Sequence, residues 1–260
     1  MATQLVKPIG MSRRNAISDW IAQGIRIAGA LASLFLFAGL GTLWLILPRH
    51  LGKPLSRLAF SILLWGFGIH VRRQGCLPGT GELLVANHVS WTDIPVLGVA
   101  VGAGFVAKQD VRHWPGIGKL AERYGCLFVA RDRRSTVRAQ ADALGRILQD
   151  RNLILFPEGT TGDGLDILPF RSSLIDPVAG GRGRLIPVTL AYRWAGGRSF
   201  DRDAWQMFAW VGDADLVSHA IKLAAAPRIE VDVIIGQPIE NTCRKDLAQA
   251  ARAAVLKGLD

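Results

Sequence analysis

Cysteine is scarce in this sequence, and several familiar motifs are missing from it. The three cysteines among 260 residues, Cys76, Cys126 and Cys243, are widely spaced and stand in no paired motif. This spacing indicates neither a disulfide framework nor a zinc site, and it fits a reducing compartment. The sequence contains no Gly-x-Ser-x-Gly elbow, which is the nucleophile motif of α/β-hydrolases. Its glycine-rich turn at residues 159–164 also lacks the lysine that a P-loop requires.

Acidic residues are outnumbered by basic ones. Lysine and arginine number 31 against 21 aspartates and glutamates, so the formal net charge is +10. This balance predicts a negatively charged partner, such as nucleic acid, an anionic lipid surface or an acidic carrier. Because 50% of the residues are apolar and the N-terminal region is rich in them, we expect a membrane bilayer and no nucleic acid.

Charge is absent from residues 27–47, IAGALASLFLFAGLGTLWLIL. As a helix this stretch is roughly 30 Å long, which is enough to cross a bilayer. A second apolar run at residues 58–70 is too short to span comfortably. Either the first helix spans the membrane, or both segments form a hairpin within one leaflet, which we favour. We therefore divide the chain into N-terminal membrane-anchoring helices at residues 1–75 and an α/β domain at residues 76–260.

Apolar runs and amphipathic segments alternate through the rest of the chain. They predict strands at residues 82–86, 104–107, 126–130, 153–156, 185–191 and 229–235, and helices near Pro95, near Ile117 and at residues 135–149 and 244–256. This alternation predicts an α/β fold with a mixed, mostly parallel sheet flanked by helices, preceded by the membrane-embedded helical segment. Proline removes a donor from a sheet ladder, so Pro187 predicts an edge strand or a bulge.

His88 and Asp93 follow the first of these strands. Side chains five residues apart would point about 140° apart on a continuous helix. A turn removes that obstacle, and Pro95 suits the first turn of the helix that follows, so we expect Asp93 or Ile94 to be the last non-helical residue. The Asp93 carboxylate can then orient the His88 ring and leave its other nitrogen free as a base. The alternative is that Asp93 only caps the helix.

Two later stretches also carry candidate binding groups. The strand at residues 126–130 ends in a cluster of arginines that begins with Arg131, and guanidinium groups suit phosphate. The alternative is a solvated basic loop. The strand at residues 153–156 leads into Pro157-Glu158-Gly159-Thr160, where glycine allows backbone amides to approach an anion. Taken alone, this second stretch is equally typical of a plain turn.

Together these stretches resemble the four sequence blocks of the glycerolipid acyltransferase family, which includes 1-acylglycerol-3-phosphate acyltransferases and lyso-ornithine lipid acyltransferases. The blocks are Asn87-His88 with Asp93, residues 125–131, residues 156–160 and Ile186-Pro187-Val188. The resemblance implies that His88 is the general base and that Asp93 orients it. It also implies substrate binding by Arg131, Glu158, Gly159 and Thr160, and an acyl donor near Pro187.

The resemblance implies a membrane-bound O-acyltransferase on the cytoplasmic face of the inner membrane. The acyl donor is acyl-CoA or acyl carrier protein, and no metal or other cofactor is expected. The expected acceptor is 1-acyl-sn-glycerol-3-phosphate, with lyso-ornithine lipid as the alternative. Many relatives that act on lysophosphatidic acid have arginine where this chain has Thr161, which weakens the first acceptor. A thioesterase or lipase, and a basic membrane adaptor without chemistry, are the competing interpretations.

Overall fold

The structure is a computed structural model that describes residues 13–130, 137–212 and 215–260. Helices and strands alternate along most of it, as the sequence pattern predicts. The helices are α1 (Arg13–Ile46), α2 (Gly52–Gly66), α3 (Asp93–Ala100), α4 (Ile117–Tyr124), α5 (Val137–Ile147), α6 (Asp176–Ala179), α7 (Arg202–Phe208), α8 (Leu216–Ala225) and α9 (Arg244–Lys257). The strands are β1 (Ile69–Gln74), β2 (Glu82–Ala86), β3 (Gly104–Lys108), β4 (Leu127–Val129), β5 (Leu153–Leu155), β6 (Arg184–Trp194) and β7 (Ile229–Ile235).

One sheet holds all seven of these strands, in the order β1-β7-β6-β2-β5-β3-β4. Every neighbouring pair is parallel except β6 and β7. The predicted mixed, mostly parallel sheet is therefore confirmed. Because β2 and β5 are parallel neighbours, their carboxyl ends meet at the same edge of the sheet. This brings the turn after β2 next to the turn after β5.

The central strands are buried on both faces, and alternate residues enter two separate cores. Leu84 of β2 joins the cluster that contains α2, α3 and the buried side of α8. Its neighbours Leu83 and Val85 join the cluster that contains α5 and α9. All three side chains have no exposed surface. A strand that is covered on both faces has a continuous apolar sequence. The bounds of β2 were therefore predicted correctly from the sequence.

Helices α1 and α2 pack against each other through small residues. A Cβ atom on Gly66 would lie 2.3 Å from the Cβ of Ser33 and 2.8 Å from the carbonyl oxygen of Gly29, so the two helices approach too closely there for a larger side chain. Helix α2 also packs on α3, where a Cβ on Gly98 would meet the Phe60 ring at 2.4 Å. The N-terminal helices thereby support the helix that begins at Asp93.

Trp20–Ile46 is the one segment of the described helices that is long and apolar enough to cross a membrane, with 27 residues and a mean hydropathy of 1.9. Large apolar side chains along it are exposed, including Phe35 at 79% and Ile46 at 78%. The spanning helix and the one-leaflet hairpin both stay predictions. The division of the chain at residue 75 also stays a prediction, although β1 already belongs to the sheet.

One local expectation is wrong. The apolar run at residues 58–70 is not one segment, because Gly68 takes a φ of +67° after α2 and Ile69 begins β1.

Of the two alternatives that Pro187 predicted, the edge strand is excluded, since β6 pairs with β2 on one side and β7 on the other. The ladder is irregular at Pro187, in keeping with the other alternative, a bulge. The amide of Gly236 donates to the Pro187 carbonyl at 2.9 Å, and the next bridge, from Leu185 to Ile239, is shifted by one residue relative to the pairing of Val188 with Ile235.

Candidate active site

The turn of residues 87–92, here called the His88 turn, is fastened to the sheet by Asn87. Its side-chain nitrogen donates to the carbonyl of Leu190 at 3.1 Å, and its side-chain oxygen accepts from the amide of Leu190 at 2.8 Å. Strand β2 has ended by then, so the amide side chain continues the pairing with β6 where the backbone turns away. The buried turn therefore starts from a fixed position.

Asp93 is the first residue of α3 and not the last residue of the turn, which differs slightly from the predicted boundary. Backbone bonds from Asp93 N to Ser90 O at 3.1 Å and from Ile94 N to Trp91 O at 3.3 Å make a tight turn that leads directly into the helix. The interpretation that Asp93 only caps the helix is wrong. Its carboxylate points back and accepts from the upstream amides of Val89 and Ser90, at 2.8 and 3.0 Å.

His88 and Asp93 form the predicted dyad. Nδ1 of His88 lies 2.7 Å from Oδ2 of Asp93. A buried carboxylate can only accept, so Nδ1 carries the hydrogen and Nε2 has a free lone pair. Nε2 makes no hydrogen bond to any residue that the structure describes. Asp93 is fully buried, whereas the His88 side chain is 18% exposed, so the free nitrogen is within reach of a substrate.

The His88 ring is also held from its face. Phe156, which follows β5, stacks on it with ring centroids 3.9 Å apart and planes 13° from parallel. Phe105 of β3 stacks behind Phe156 with centroids 6.2 Å apart. The aromatic stack and the Asp93 hydrogen bond together leave the imidazole little freedom to rotate.

Glu158 supports the His88 turn from the neighbouring loop. One carboxylate oxygen accepts from the backbone amide of His88 at 2.7 Å, and the other accepts from the amide of Leu168 at 2.9 Å. The side chain is buried, and burial raises the pKa of Glu158 to about 7, against the opposing effect of these two amide bonds. Both oxygens are engaged by the protein backbone, so Glu158 holds the turn in place.

The other predicted site residues differ in what they contribute. Gly159 follows Glu158 with a φ of +80°, which favours glycine, and a Cβ there would lie 3.2 Å from the Arg171 guanidinium. Thr160 is exposed in the same loop. Arg131 lies outside the described residues. Beside this loop is a cavity of about 100 Å³ lined by Ala130, Gln140, Phe156, Pro157, Gly159 and Arg171, among others.

Thr161 is the position at which the family resemblance implied an arginine in many enzymes that act on lysophosphatidic acid. Its hydroxyl donates to the carbonyl of Trp210, and the amide of Trp210 donates to the carbonyl of Val89 at 2.8 Å. The next amide, that of Gly162, donates to the carbonyl of His88 at 2.8 Å. Thr161 is therefore part of the scaffold of the site and brings no positive charge to it.

Sequence reasoning missed two polar residues around the dyad. Tyr192 of β6 donates its hydroxyl to Oδ1 of Asp93 at 2.6 Å. His219 of α8 accepts from the Trp91 indole at 3.0 Å through Nδ1 and donates to the Phe208 carbonyl at 3.1 Å through Nε2. Burial lowers the pKa of His219. The ring is therefore neutral and holds the His88 turn through its hydrogen bond with Trp91. A tyrosine within an apolar strand needs a partner for its hydroxyl, and that was the available signal for Tyr192.

Comparison with known proteins agrees with this geometry. A family model described as Acyltransferase matches residues 68–191. The lyso-ornithine lipid O-acyltransferase of Rhizobium meliloti is 36% identical over 231 residues, which are 84% of this chain and 78% of that protein. The 1-acyl-sn-glycerol-3-phosphate acyltransferase of Neisseria meningitidis is 32% identical over 147 residues, 56% of this chain and 58% of that protein.

A solved structure shares the fold. The crystal structure of the 1-acyl-sn-glycerophosphate acyltransferase from Thermotoga maritima superimposes with a TM-score of 0.67 and 18% identity, covering 93% of this chain and 96% of that one. At that identity the likeness concerns the fold alone. The identity to the Rhizobium protein is high enough, and extends over enough of both chains, to show that the two proteins are homologous. The chain therefore belongs to the glycerolipid acyltransferase family and is an enzyme of the acyltransferase class.

Proposed function

We propose that this enzyme transfers a fatty acyl group from acyl-CoA or acyl carrier protein to the free hydroxyl of a lysolipid. The observation that carries the proposal is the dyad, in which Asp93 fixes one nitrogen of His88 at 2.7 Å and leaves the other free. A lipid hydroxyl is a poor nucleophile until a positioned base takes its proton. General-base catalysis contributes about 10²- to 10⁴-fold.

The reaction balances without a metal or other cofactor. Nε2 of His88 accepts the hydroxyl proton as the oxygen attacks the thioester carbonyl carbon. The tetrahedral intermediate collapses, the carbon–sulfur bond breaks, and the imidazolium returns the proton to the leaving thiolate. The Asp93 carboxylate stabilises the imidazolium between these two steps. The thioester is already activated, so no covalent acyl-enzyme is required.

The membrane supplies the acceptor. Trp20–Ile46 is a 27-residue helical segment with a mean hydropathy of 1.9, and the chain carries a net charge of +10 that favours an anionic lipid surface. We place the enzyme on the cytoplasmic face of the inner membrane, where acyl-CoA and acyl carrier protein are found. Because α2 packs on α3, the membrane helices and the dyad belong to one packed unit, and a lysolipid can approach His88 from the bilayer.

The preferred acceptor is lyso-ornithine lipid. The relative with that name matches over 231 residues, against 147 for the glycerol-phosphate enzyme. Thr161 is also consistent with it, since its hydroxyl is used by Trp210 and the position offers no cation for a phosphate. An acceptor without a phosphate monoester does not require a cation at this position.

1-Acyl-sn-glycerol-3-phosphate is the second candidate, and Arg171 is the observation in its favour. Its guanidinium lies against Gly159 and lines the cavity beside the loop after β5. A guanidinium there suits a phosphate group.

An acceptor panel with purified enzyme tests the proposal. Acyl-carrier-protein and CoA thioesters are offered with either lysolipid, and products are identified by mass spectrometry. Arg171→Ala is compared with Arg198→Ala, which removes an exposed arginine in the turn after β6. We expect faster ester formation from lyso-ornithine lipid, with similar KM in both variants. A preference for the glycerol phosphate, with KM raised only in Arg171→Ala, would favour the second acceptor. Fatty acid release that is independent of any acceptor would contradict acyl transfer.

A further inference from the structure

Tyr192 lies opposite the dyad, on the central strand β6, and neither the four sequence blocks nor the comparisons assign it a role. Its hydroxyl is 2.6 Å from Oδ1 of Asp93, and both groups are buried. We propose that Tyr192 is a positioning residue of the acyl-transfer reaction, whose hydroxyl locks the Asp93 carboxylate so that its other oxygen stays on Nδ1 of His88. This inference rests on the proposed function of the dyad.

The two carboxylate oxygens of Asp93 are not equivalent. Oδ2 accepts three hydrogen bonds, from His88 and from the amides of Val89 and Ser90. Among the described residues, Oδ1 accepts one, from Tyr192. Asp93 has no exposed surface, so water cannot replace a lost donor. Rotation of a carboxylate about its last side-chain bond has a broad energy minimum, and the tyrosine hydroxyl is what defines that angle on the Oδ1 side.

The hydroxyl itself is held rigidly. Tyr192 pairs with Val231 in the ladder between β6 and β7, and β6 is paired with β2 on its other side. Its ring packs against Phe208 with centroids 4.4 Å apart. Burial, followed by the nearby Asp93 charge, raises the pKa of Tyr192 well above its usual value. The phenol therefore stays neutral and acts as the donor throughout the catalytic cycle.

The alternative is that Tyr192 only fills space in the core. Phenylalanine would fill the same space without the hydroxyl, so the hydroxyl is the group to test. The chain offers a matched control in Tyr124, whose ring also packs among aromatic side chains. Its buried hydroxyl makes no hydrogen bond to any described residue. Removing the hydroxyl from each tyrosine is thus the same chemical change with and without a partner.

Loss of the Tyr192 hydroxyl has a directional effect on the dyad. A carboxylate that loses a hydrogen bond to its charged form holds protons and cations more strongly. The imidazolium of His88 is then stabilised, and the ring keeps its proton to higher pH. The other titratable groups near the dyad are Glu158, which bonds the His88 amide, and His219, which reaches the His88 turn through Trp91. Neither contacts the Tyr192 hydroxyl.

Tyr192→Phe and Tyr124→Phe are compared with wild type in two measurements. The first is steady-state acyl transfer to lyso-ornithine lipid, which gives kcat and KM. The second is a pH titration of the ring resonances of His88 by NMR, with ¹³C-labelled histidine, in detergent and without substrate. The resonance of His88 is identified as the one absent from His88→Gln.

We expect kcat of Tyr192→Phe to fall about tenfold or more, because a carboxylate that is free to rotate no longer holds the His88 ring in one orientation, and misplacing a catalytic group costs more rate than a stronger base restores. KM should stay within about twofold of wild type, since the hydroxyl does not contact the lipid. The His88 titration should move to higher pH, and Tyr124→Phe should change neither. Unchanged kcat, or a fall in kcat and thermal stability with an unmoved titration, would overturn the proposal. A moved titration in Tyr192→Phe alone, with no transfer to any acceptor by wild type, would support the positioning role and refute the proposed function.

Discussion

The substitution Asp93→Asn removes the charge of the dyad and preserves its shape. The amides of Val89 and Ser90 both require an acceptor at the position of Oδ2, so the oxygen of the new amide must lie there. Its nitrogen then faces Tyr192, whose hydroxyl can rotate and accept. His88 consequently keeps its tautomer and its orientation. What is lost is the negative charge beside an imidazole that becomes positive when it takes the substrate proton.

The size of that loss follows from the distance. With Nδ1 and Oδ2 2.7 Å apart, the charge centres are about 4 Å apart, and unit charges at an effective dielectric constant of about 20 interact by about 4 kcal/mol. Each 1.4 kcal/mol is about tenfold in rate. We therefore expect kcat to fall about 10²- to 10³-fold, with little change in KM because neither side chain of the pair is needed to hold the lipid.

The assay is ester formation from a thioester donor and lyso-ornithine lipid, with kcat and KM measured separately and folding checked by thermal unfolding. The matched control is Asp142→Asn, in which a half-buried aspartate of α5 loses its ion pair with Arg182, 3.1 Å away. It should retain wild-type kcat. A folded Asp93→Asn enzyme with kcat within about threefold of wild type would refute the electrostatic reasoning.

Three further predictions concern the supports of the site. Burial raises the pKa of Glu158 from 4.5 to about 7, so the folded state favours the protonated side chain. This stabilisation is fully present below about pH 4.5, and the free energy of unfolding falls by about 3 kcal/mol as the pH rises from there through 7. Unfolding in detergent at a series of pH values should show this slope in wild type and not in Glu158→Gln; an equal slope in both would contradict it. Gly159→Ala introduces a side chain at a φ of +80° and should cost about 1–2 kcal/mol, whereas Gly24→Ala, in open space on α1, should cost nothing measurable by thermal unfolding. Asn87→Ala leaves the amide and carbonyl that it bonds on β6 without partners, so denaturant unfolding should show a loss of about 2–4 kcal/mol; a loss below about 0.5 kcal/mol would mean that the turn is not fastened there.

Long apolar runs made the centre of the fold predictable. The bounds of β2 and β7 are as expected, because strands buried on both faces contain few polar residues. Strand β1 was missed because four of the six residues of Ile69–Gln74 are polar and exposed, as in an edge strand. Helices α6 and α7 were missed as well, since helices of four and seven residues show little periodicity; α8, with ten residues, was also missed.

The dyad was predictable because its two members are close in sequence and a turn is the one local structure that joins them. The contacts made by Tyr192 and Asn87 were not, because they depend on β6 lying beside β2, and strand order is not encoded in periodicity. For Glu158 the loop was identified but the direction of the side chain was not. The family pattern suggested contact with substrate, which stays a prediction, and it gave no sign that both oxygens bond backbone amides.

The rate of ester formation by purified His88→Ala, compared with His113→Ala, tests the central claim most directly. His113 is an exposed histidine in a short turn after β3, so its loss controls for the loss of an imidazole. If His88 is the base that takes the proton of the lysolipid hydroxyl, His88→Ala should lose about 10²-fold or more in kcat while remaining folded, and His113→Ala should match wild type. Wild-type turnover by folded His88→Ala would contradict the account.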